Sequence, residues 1–569
     1  MENRKLIGKE KIQVLIVILM VTFIWGYWMN LKTGFNWDEL TSYGAANSNY
    51  SLWFHSREQE IELGELVDTY IWGDSVGEFA ANLSTFIKQT IENGYKSSDL
   101  YKVYRKYQTQ ETKLSWAGKE DIYDYLTVNK GEQLNIASIY ECNWEDTHPP
   151  LYHILLNAVC SLFPGVMSKW FGFVINIAAL WGTCVFVYGI MRRLGAGHGV
   201  AVLTIAVYGS SVGAASTALY IRMYALMTLA VVALIFQHMC LKEKEYQISR
   251  KVFLFLVLNI VLGYLIQYYF CIVALVVFII SVIDMLSKKY YRECKKYTLC
   301  FLFSAVVGLC IWPFGVKHMF LRGRGPEALS NLGEGSRYGA QLSGYLTVIK
   351  EQVFVNGAVC TLVVAMLALS ILLLYRRRKK LSEGKLNLIL IPVLIYLLFV
   401  AIISPEVSER YIACVYPLFM VIILFIFDKA LLKNRKWIAI FAFVAFAIIS
   451  FQAKPSFLPI IGDKESEMLK KYSEKACIYV EKNYCYQMHL MELADYQKVM
   501  IVNWEHLDYL FNGETDLPDE IVLYVSCLLE PEEIIEEFKE NTDYSQFDIL
   551  LDNTEEYGEA NVFFLSGQK

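Results

Sequence analysis

The sequence lacks the cysteine patterns of metal and redox sites. Its 13 cysteines include no CxxC pair and no Cys/His spacing of the kind that binds a metal ion. Most of them lie inside apolar runs, where a free thiol behaves as a small hydrophobic side chain. Near the end of the chain Cys477, Cys485 and Cys527 could pair, and the sequence leaves that open. A cysteine-ligated metal site is therefore not predicted.

Two further features are missing. No small-residue cleavage site follows the first apolar run at residues 12–31, so we interpret this run as an uncleaved signal anchor. No clear internal repeat is present either, although repeats are common in secondary transporters. The second absence disfavours a transporter.

Apolar residues dominate the composition of the chain. Of 569 residues, 55% are hydrophobic and 15% are aromatic, and the mean hydropathy is +0.35. The apolar residues form blocks of about 20, the length of a helix that crosses a bilayer. The sequence therefore predicts a polytopic α-helical membrane protein of about eleven spans. They lie at roughly residues 12–31, 168–190, 198–217, 219–240, 252–268, 269–286, 297–315, 353–375, 387–403, 411–427 and 436–452.

Basic residues indicate the orientation of these spans. Clusters of Lys and Arg precede the first span and lie at residues 192–193, 242–251, 288–296, 376–380 and 429–436. The positive-inside rule places them in the cytoplasm. The apolar stretch 151–163 then cannot be a full crossing, because Arg192 and Arg193 would fall outside, and we predict a half-inserted or juxtamembrane helix. We expect a multi-pass cell (plasma) membrane protein with a cytoplasmic amino terminus and an extracytoplasmic carboxyl terminus.

Charge and hydropathy divide the chain into four predicted parts. Residues 454–569 contain 9 basic and 25 acidic residues, a net charge of −16, against +11 for the chain before them. The parts are the first span at 1–31, a large first extracytoplasmic loop at 32–150, a transmembrane helical core at 151–452, and an extracytoplasmic accessory α/β domain at 453–569. Predicted strands at 476–480, 499–504, 521–527 and 548–551 alternate with helices such as 531–539 in that last domain. It shows no catalytic motif.

The first loop contains one strongly periodic segment. Its apolar residues recur at helical spacing, at Phe79, Leu83, Phe86, Ile87 and Ile91. This pattern predicts an amphipathic helix that lies along the membrane surface.

Charged side chains gather at the predicted outer face. They are Asp38, Glu39, Asp146, His148, Arg222, His318, Arg322, Arg324, Glu409 and Arg410. The positive-inside rule makes cations less expected than carboxylates at the outer face. Arginines at helix ends here therefore indicate an anionic partner, and a lipid phosphate is the obvious candidate. The plain alternatives are a solvated helix end for the acidic pair and snorkelling to the interface for Arg222. Tyr224, Tyr268 and Tyr269 either belong to an interfacial aromatic belt or contact a substrate.

Four short motifs contain many of these residues and occur in a recognisable order. They are NWDE at residues 36–39, DTHPPLY at 146–152, LYIRMYAL at 219–226 and ERYIACVYPL at 409–418. Together they resemble the GT-C superfamily of membrane glycosyltransferases, in particular the branch of protein mannosyltransferases and aminoarabinose transferases. The resemblance covers about residues 10–430. Members of that superfamily transfer a sugar from a polyprenyl monophosphate to an acceptor on the far side of the membrane.

The resemblance implies a role for each candidate residue. It makes Asp38 the general base or the carboxylate that orients the acceptor, with Glu39 as its neighbour in the catalytic pair. The donor phosphate would be bound by His148 and Arg410, with Arg222 as a further cation. The remaining substrate contacts would come from Asp146, Tyr224, Tyr268 and Tyr269. Asp38 and His148 are 110 positions apart, more than this branch leads us to expect, so the acceptor side should be specialised.

The activity implied is that of an inverting hexosyl- or pentosyltransferase. Its donor would be a polyprenyl-phosphate sugar, and its acceptor a glycan, lipid or protein at the outer face; no nucleic acid is expected. No cofactor and no metal are expected, because basic residues suffice for a monophosphate, and a divalent ion near Asp38 is left open. Two alternatives are a transporter or flippase of a lipid-linked saccharide, and a scaffold protein with a degenerate site.

Overall fold

The chain folds into two compact units. The computed structural model describes residues 2–58, 68–73, 75–93, 97–108, 113–320, 324–377, 384–432, 436–459, 463–512, 515–552 and 560–567. One unit, which we call the membrane unit, comprises Met1–Gly34, Asp146–Leu155 and Lys169–Ile460. The other, the loop–tail unit, comprises Phe35–Glu145, Leu156–Ser168 and Ile461–Lys569. Arg322 and the side chain of Arg324 lie outside the described residues.

The membrane unit consists of helices. Within the described ranges, seven helices are long and apolar enough to cross a bilayer, and one bent pair makes an eighth. The chain is therefore a polytopic helical membrane protein, as predicted. The helices are Glu2–Leu31, Lys169–Arg193, His198–Gly209, Val212–Leu219, Tyr224–Glu243, Arg250–Ile266, Tyr269–Ser287, Tyr291–Ile311, Phe314–Phe320, Arg324–Asn331, Tyr338–Phe354, Gly357–Arg376, Asn387–Ile403, Glu409–Ile412, Tyr416–Phe427 and Lys436–Gln452.

Each of the eleven predicted spans contains a helix. Three of these helices, Arg250–Ile266, Asn387–Ile403 and Lys436–Gln452, have 17 residues, which is near the lower limit for crossing a bilayer. The span predicted at 198–217 is instead two helices at 57° to each other. Ser210 ends the first, and the Ser211 hydroxyl accepts a hydrogen bond from the Ala214 N–H at 3.2 Å to begin the second. A serine pair therefore causes the bend.

The helix Leu151–Cys160 is short, as the sequence predicts. Ten residues extend about 15 Å, half of the bilayer core. Pro150 precedes this helix, and its carbonyl accepts the Ile154 N–H at 2.9 Å. Its length excludes a full crossing by this helix, and its half-inserted placement stays a prediction.

The tail folds around a mixed sheet. In the part of the chain that the structure describes, the strands are β1 (Arg57–Glu58), β2 (Lys113–Leu114), β3 (Ala476–Glu481), β4 (Lys498–Asn503), β5 (Glu520–Ser526), β6 (Tyr544–Leu551) and β7 (Ala560–Gly567). Among the described residues, the tail sheet has the order β4-β3-β5-β7-β6. Strand β3 is parallel to β4 and β5, whereas β7 is antiparallel to β5 and β6. The four predicted strands are confirmed, and β7 was not predicted.

Helices cover this sheet and build the tail core. They are Asp463–Tyr472, Leu490–Leu493, Asp508–Phe511 and Pro531–Asn541. Ile478, Met500 and Leu523 on the parallel strands are fully buried and belong to one apolar cluster with Phe538 of the last helix. Central parallel strands read as continuous apolar runs because both of their faces are covered. The predicted α/β fold of the tail is confirmed.

The long loop after the first helix packs against the tail. Ala117 and Val499 exchange backbone hydrogen bonds of 2.8 and 2.7 Å, which add the loop to the edge of β4. The Ile501 N–H donates to the Ser56 hydroxyl at 2.7 Å, and the Trp53 ring stacks on Tyr484 at 4.5 Å. Loop and tail thus share one compact unit. The loop helices are Trp37–Asn47, Val76–Asn93, Asp99–Gln108, Lys119–Leu126 and Ile136–Glu145, with a π-helical turn at Asp68–Trp72.

Two smaller predictions concern this unit. The predicted amphipathic helix is present as Val76–Asn93, with Leu83 and Ile87 exposed; its contact with a membrane surface stays a prediction. Cys477, Cys485 and Cys527 are free thiols.

Candidate active site

Asp38 lies in the first turn of the helix Trp37–Asn47. Asn36 caps this helix, since its side-chain oxygen accepts the Asp38 N–H at 3.1 Å. The Asp38 side chain is partly exposed. The amino-terminal end of a helix favours a negative charge, so the position suits an ionised carboxylate.

Glu39 completes the cap of the same helix. Its carboxylate accepts the backbone N–H of Asn36 at 2.7 Å, which makes a capping box. The residue is fully buried. Glu39 therefore has a structural function in this geometry, and its catalytic role stays a prediction.

Asp146, His148 and Arg222 form a chain of hydrogen bonds in the membrane unit. The Nδ1 atom of His148 lies 2.9 Å from the Asp146 carboxylate, and its Nε2 atom lies 3.4 Å from Arg222 Nη2. The Asp146 and His148 side chains are 15% and 20% exposed, and Arg222 is 3% exposed. Two of the three predicted phosphate-binding residues, His148 and Arg222, are thus brought together, with Asp146 on the other side of the imidazole; their role stays a prediction.

Hydrogen-bond chemistry fixes the roles in this chain. A guanidinium can only donate, so with a neutral imidazole His148 Nε2 accepts from Arg222 and the Nδ1–H donates to Asp146. Burial raises the pKa of the Asp146 carboxyl, but its interactions with His148 and with the charge of Arg222 outweigh burial. The pKa of Asp146 is therefore held well below its usual range, and the carboxylate is ionised. It supplies the buried counter-charge that Arg222 requires.

A short connection between two helices positions Arg222. It runs through residues 220–223, between Val212–Leu219 and Tyr224–Glu243. Asn176 Nδ2 donates to the Tyr220 carbonyl at 2.7 Å, and the Arg222 N–H donates to the same carbonyl at 2.8 Å. Gly172 packs against Ile221 so closely that a Cβ atom would lie 2.0 Å from the Ile221 side chain. Small residues allow such close approach between membrane helices.

Arg410 is bound by three side chains. Its Nη1 donates to the Tyr220 hydroxyl at 2.9 Å, and its Nη2 donates to Glu406 at 2.8 Å and to the Tyr411 hydroxyl at 3.2 Å. The Arg410 side chain is 16% exposed and that of Glu406 is 57% exposed. Because Glu406 is solvated, its carboxylate can be exchanged for another anion at low cost. Tyr220 connects Arg410 to the backbone that positions Arg222.

Aromatic rings surround the Arg410 side. Tyr224 stacks with Tyr220 at 5.7 Å and meets Tyr411 edge-on at 6.4 Å. Tyr269 tilts against Tyr411 at 5.4 Å. Two of the tyrosines that the sequence singles out, Tyr224 and Tyr269, therefore lie in one cluster with Arg410.

Tyr268 takes part in a different network. Its hydroxyl accepts from Trp312 Nε1 at 2.8 Å and shares a hydrogen bond of 3.0 Å with His318 Nδ1. Adjacent tyrosines on the sequence thus have different partners. The substrate-binding role of all three tyrosines and of Asp146 stays a prediction.

Sequence reasoning missed two residues of this arrangement. Tyr220 lies inside a quoted motif, but no role was assigned to it. Glu406 precedes Arg410 by four positions but lies before the helix Glu409–Ile412, so no helical pattern pointed to this pair. Asp38 and Glu39 belong to the loop–tail unit, whereas the cations belong to the membrane unit.

The described part of the chain contains no group of three or more His, Cys, Asp and Glu side chains that could hold a metal ion.

Comparison with known proteins gives structural likenesses only. No protein-family model matches the chain, and no curated protein matches its sequence. Crystal structures of ArnT from Cupriavidus metallidurans, bound to undecaprenyl phosphate and in the apo state, are similar to it with a TM-score of 0.45. Their identities are 9% and 10%, over 73% of this chain and 87% of ArnT.

A second similar structure is an oligosaccharyltransferase from Archaeoglobus fulgidus, tethered with an acceptor peptide. Its TM-score is 0.37, with 12% identity over 63% of this chain and 56% of that one. The low scores assign no substrate and no residue role to this chain.

Proposed function

We propose that the protein is an inverting glycosyltransferase that takes a hexose or pentose from a polyprenyl-phosphate donor. The acceptor is a glycan, lipid or protein at the outer face of the cell membrane. The amino terminus lies in the cytoplasm and the loop–tail unit outside. Basic side chains hold the monophosphate, and no metal or other cofactor is part of the proposal.

The observation that carries this proposal is the pair of arginines connected through Tyr220. Arginine at the end of a membrane helix is costly without an anionic partner. Arg222 lies close enough to Asp146 for its charge to lower the pKa of that carboxyl, whereas Arg410 pairs with the solvated carboxylate of Glu406. A phosphate can replace that solvated carboxylate at low cost, and planar guanidinium groups match phosphate oxygens. An anion bound among apolar helices is best supplied by a lipid phosphate.

The proposed chemistry is one direct displacement. The acceptor hydroxyl oxygen forms a bond to the anomeric carbon while the bond from that carbon to the phosphate oxygen breaks. The electron pair leaves with the polyprenyl phosphate, and the hydroxyl proton passes to Asp38. One displacement inverts the anomeric configuration. Arg410 stabilises the charge that develops on the leaving phosphate.

His148 contributes through Arg222 in this proposal. Its Nε2 atom accepts from the guanidinium and its Nδ1–H is bound to Asp146. The imidazole thus fixes the plane of the Arg222 fork, and Asp146 fixes the imidazole. Tyr224 and Tyr269 line the Arg410 side and supply faces for the sugar or the first isoprene unit.

The test uses the purified full-length protein in lipid nanodiscs with a panel of polyprenyl-phosphate sugars. ArnT was crystallised with undecaprenyl phosphate, which is a carrier of the proposed class. We expect release of the free carrier phosphate from one donor, dependent on an acceptor extract. Movement of the donor across proteoliposomes without carrier release would indicate a flippase instead. Neither binding nor release from any donor would indicate a scaffold and contradict the proposal.

A further inference from the structure

A short segment outside every sequence motif contacts the candidate phosphate site. It comprises residues 453–459, which follow the last membrane helix, Lys436–Gln452, and we call it the exit segment. Phe457 at its centre has φ of +60°. This left-handed conformation is sparsely populated by bulky residues, and it persists only where surrounding contacts impose it.

Buried Lys32 holds the backbone of Phe457. The Lys32 ammonium donates to the Phe457 carbonyl at 3.1 Å and to the Leu219 carbonyl at 3.3 Å. Leu219 is the last residue of the helix Val212–Leu219, where a cation is favourable. The strained residue is thereby fixed beside the connection that carries Tyr220 and Arg222.

The neighbouring residue is fixed as well. The Ser456 N–H donates to the Ser216 hydroxyl at 3.0 Å, and Gln352 Nε2 donates to the Ser456 hydroxyl at 3.1 Å. The Ser216 hydroxyl in turn donates to the side-chain amide oxygen of Gln352 at 2.9 Å. These three residues form a closed ring of hydrogen bonds, which includes the Ser456 backbone N–H and anchors the exit segment to two helices.

The result of this anchoring is a close aromatic stack. The Phe457 ring lies 3.8 Å from the Tyr220 ring, centroid to centroid, at an interplanar angle of 14°. The Tyr220 hydroxyl accepts from Arg410 Nη1 at 2.9 Å. Phe457 therefore limits the rotation of the ring whose hydroxyl orients the Arg410 fork.

We propose that Phe457 is a positioning residue that orders Arg410 for phosphate binding by stacking on Tyr220. This inference rests on the proposed function, because it takes Arg410 as the residue that binds the donor phosphate. It makes the start of the tail part of the donor site. The backbone strain at Phe457 is maintained because the stack requires that conformation.

The experiment measures the affinity of the full-length protein for undecaprenyl phosphate. Phe457→Ala removes the ring, and residue 457 must still adopt a positive φ angle. The substitution should weaken binding of undecaprenyl phosphate by about 2- to 13-fold. Phe457→Tyr should restore wild-type affinity. Phe451→Ala is the matched control, because Phe451 packs on Tyr27 and Trp28 at 5.0 and 5.6 Å and should have no effect. If Phe457→Ala does not fold, Phe457→Leu keeps bulk without the aromatic stack and replaces it.

A double-mutant cycle separates positioning from general loosening. If Phe457 acts through Arg410, adding Phe457→Ala to Arg410→Ala should change affinity by less than about twofold. A full additional loss would overturn the inference. Weak binding by Arg410→Ala together with unchanged binding by Phe457→Ala would overturn the inference alone. Unchanged binding by Arg410→Ala would overturn both the inference and the proposed function.

Discussion

Glu406→Gln should strengthen binding of the donor phosphate. In the free protein Glu406 occupies one side of the Arg410 fork at 2.8 Å, and its side chain is 57% exposed. An ion pair with this much solvent contact contributes about 0.2–1 kcal/mol. An arriving phosphate must displace that carboxylate, so removing its charge should improve the affinity for undecaprenyl phosphate by about 1.4- to 5-fold. Isothermal titration in detergent at low ionic strength measures the change, which should shrink as salt is added.

The partner substitution should act in the opposite direction. Arg410→Ala removes the fork itself and should weaken binding by about 30-fold or more, as expected for truncating a largely buried charge. Glu334→Gln is the matched control, because Glu334 forms a similarly exposed pair with Arg337 at 3.4 Å. It should leave the affinity unchanged. Equal or weaker binding by Glu406→Gln would refute the idea that this carboxylate competes with the donor phosphate.

Two further predictions concern stability. Gly44→Ala should destabilise the loop–tail unit by about 1–3 kcal/mol in thermal unfolding, because the new Cβ would lie 2.0 Å from the buried Tyr125 hydroxyl. Gly77→Ala is the control and should leave the stability unchanged, because the nearest atom to its new Cβ is 3.8 Å away. Asp146→Asn should cost about 3–5 kcal/mol at neutral pH, because the buried Arg222 guanidinium loses its counter-charge. Since the pKa of Asp146 is lowered on folding, this stability is present above the unfolded pKa of about 3.9 and is lost as pH falls below it. The difference between wild type and Asp146→Asn should therefore narrow in unfolding measurements below about pH 4, and a constant difference would contradict the ionised state.

The helices and most strands follow from local pattern. Apolar blocks of about 20 residues predict the membrane helices, and apolar runs that alternate with helical stretches predict the tail strands. Both patterns involve residues that are close together in the sequence. The bend at Ser210 and Ser211 was missed because two serines inside an apolar block do not lower its hydropathy enough to divide it. Strand β7 was missed although its sequence, ANVFFLSG, contains the apolar run of a buried strand.

The packing of the first loop on the tail could not be predicted. Ser56 and Ile501 are 445 positions apart, and the contact consists of one hydroxyl and one edge strand. No periodicity encodes such a pairing. The boundary at Lys454, which rests on net charge, therefore separates the first loop from the tail, although both belong to the same compact unit.

The candidate site was predicted residue by residue but not as an arrangement. The sequence singles out Asp146, His148 and Arg222 one by one. The chain of hydrogen bonds between them could not be predicted, because His148 and Arg222 are 74 positions apart. For Glu39 a local signal did exist, since Asn36 followed three residues later by Glu matches a capping box. Phe457 had no signal, because its importance lies in one ring stack and one unusual φ angle.

Carrier release by Asp38→Asn tests the central claim most directly. The substitution keeps the helix cap, because Asn36 accepts from the backbone N–H of residue 38 rather than from its side chain. Single-turnover release of polyprenyl phosphate from the preferred donor should slow by about 10²- to 10⁴-fold, as expected for loss of a general base, while donor affinity is unchanged. Release at the wild-type rate would contradict the assignment of Asp38 and, with it, this account of sugar transfer.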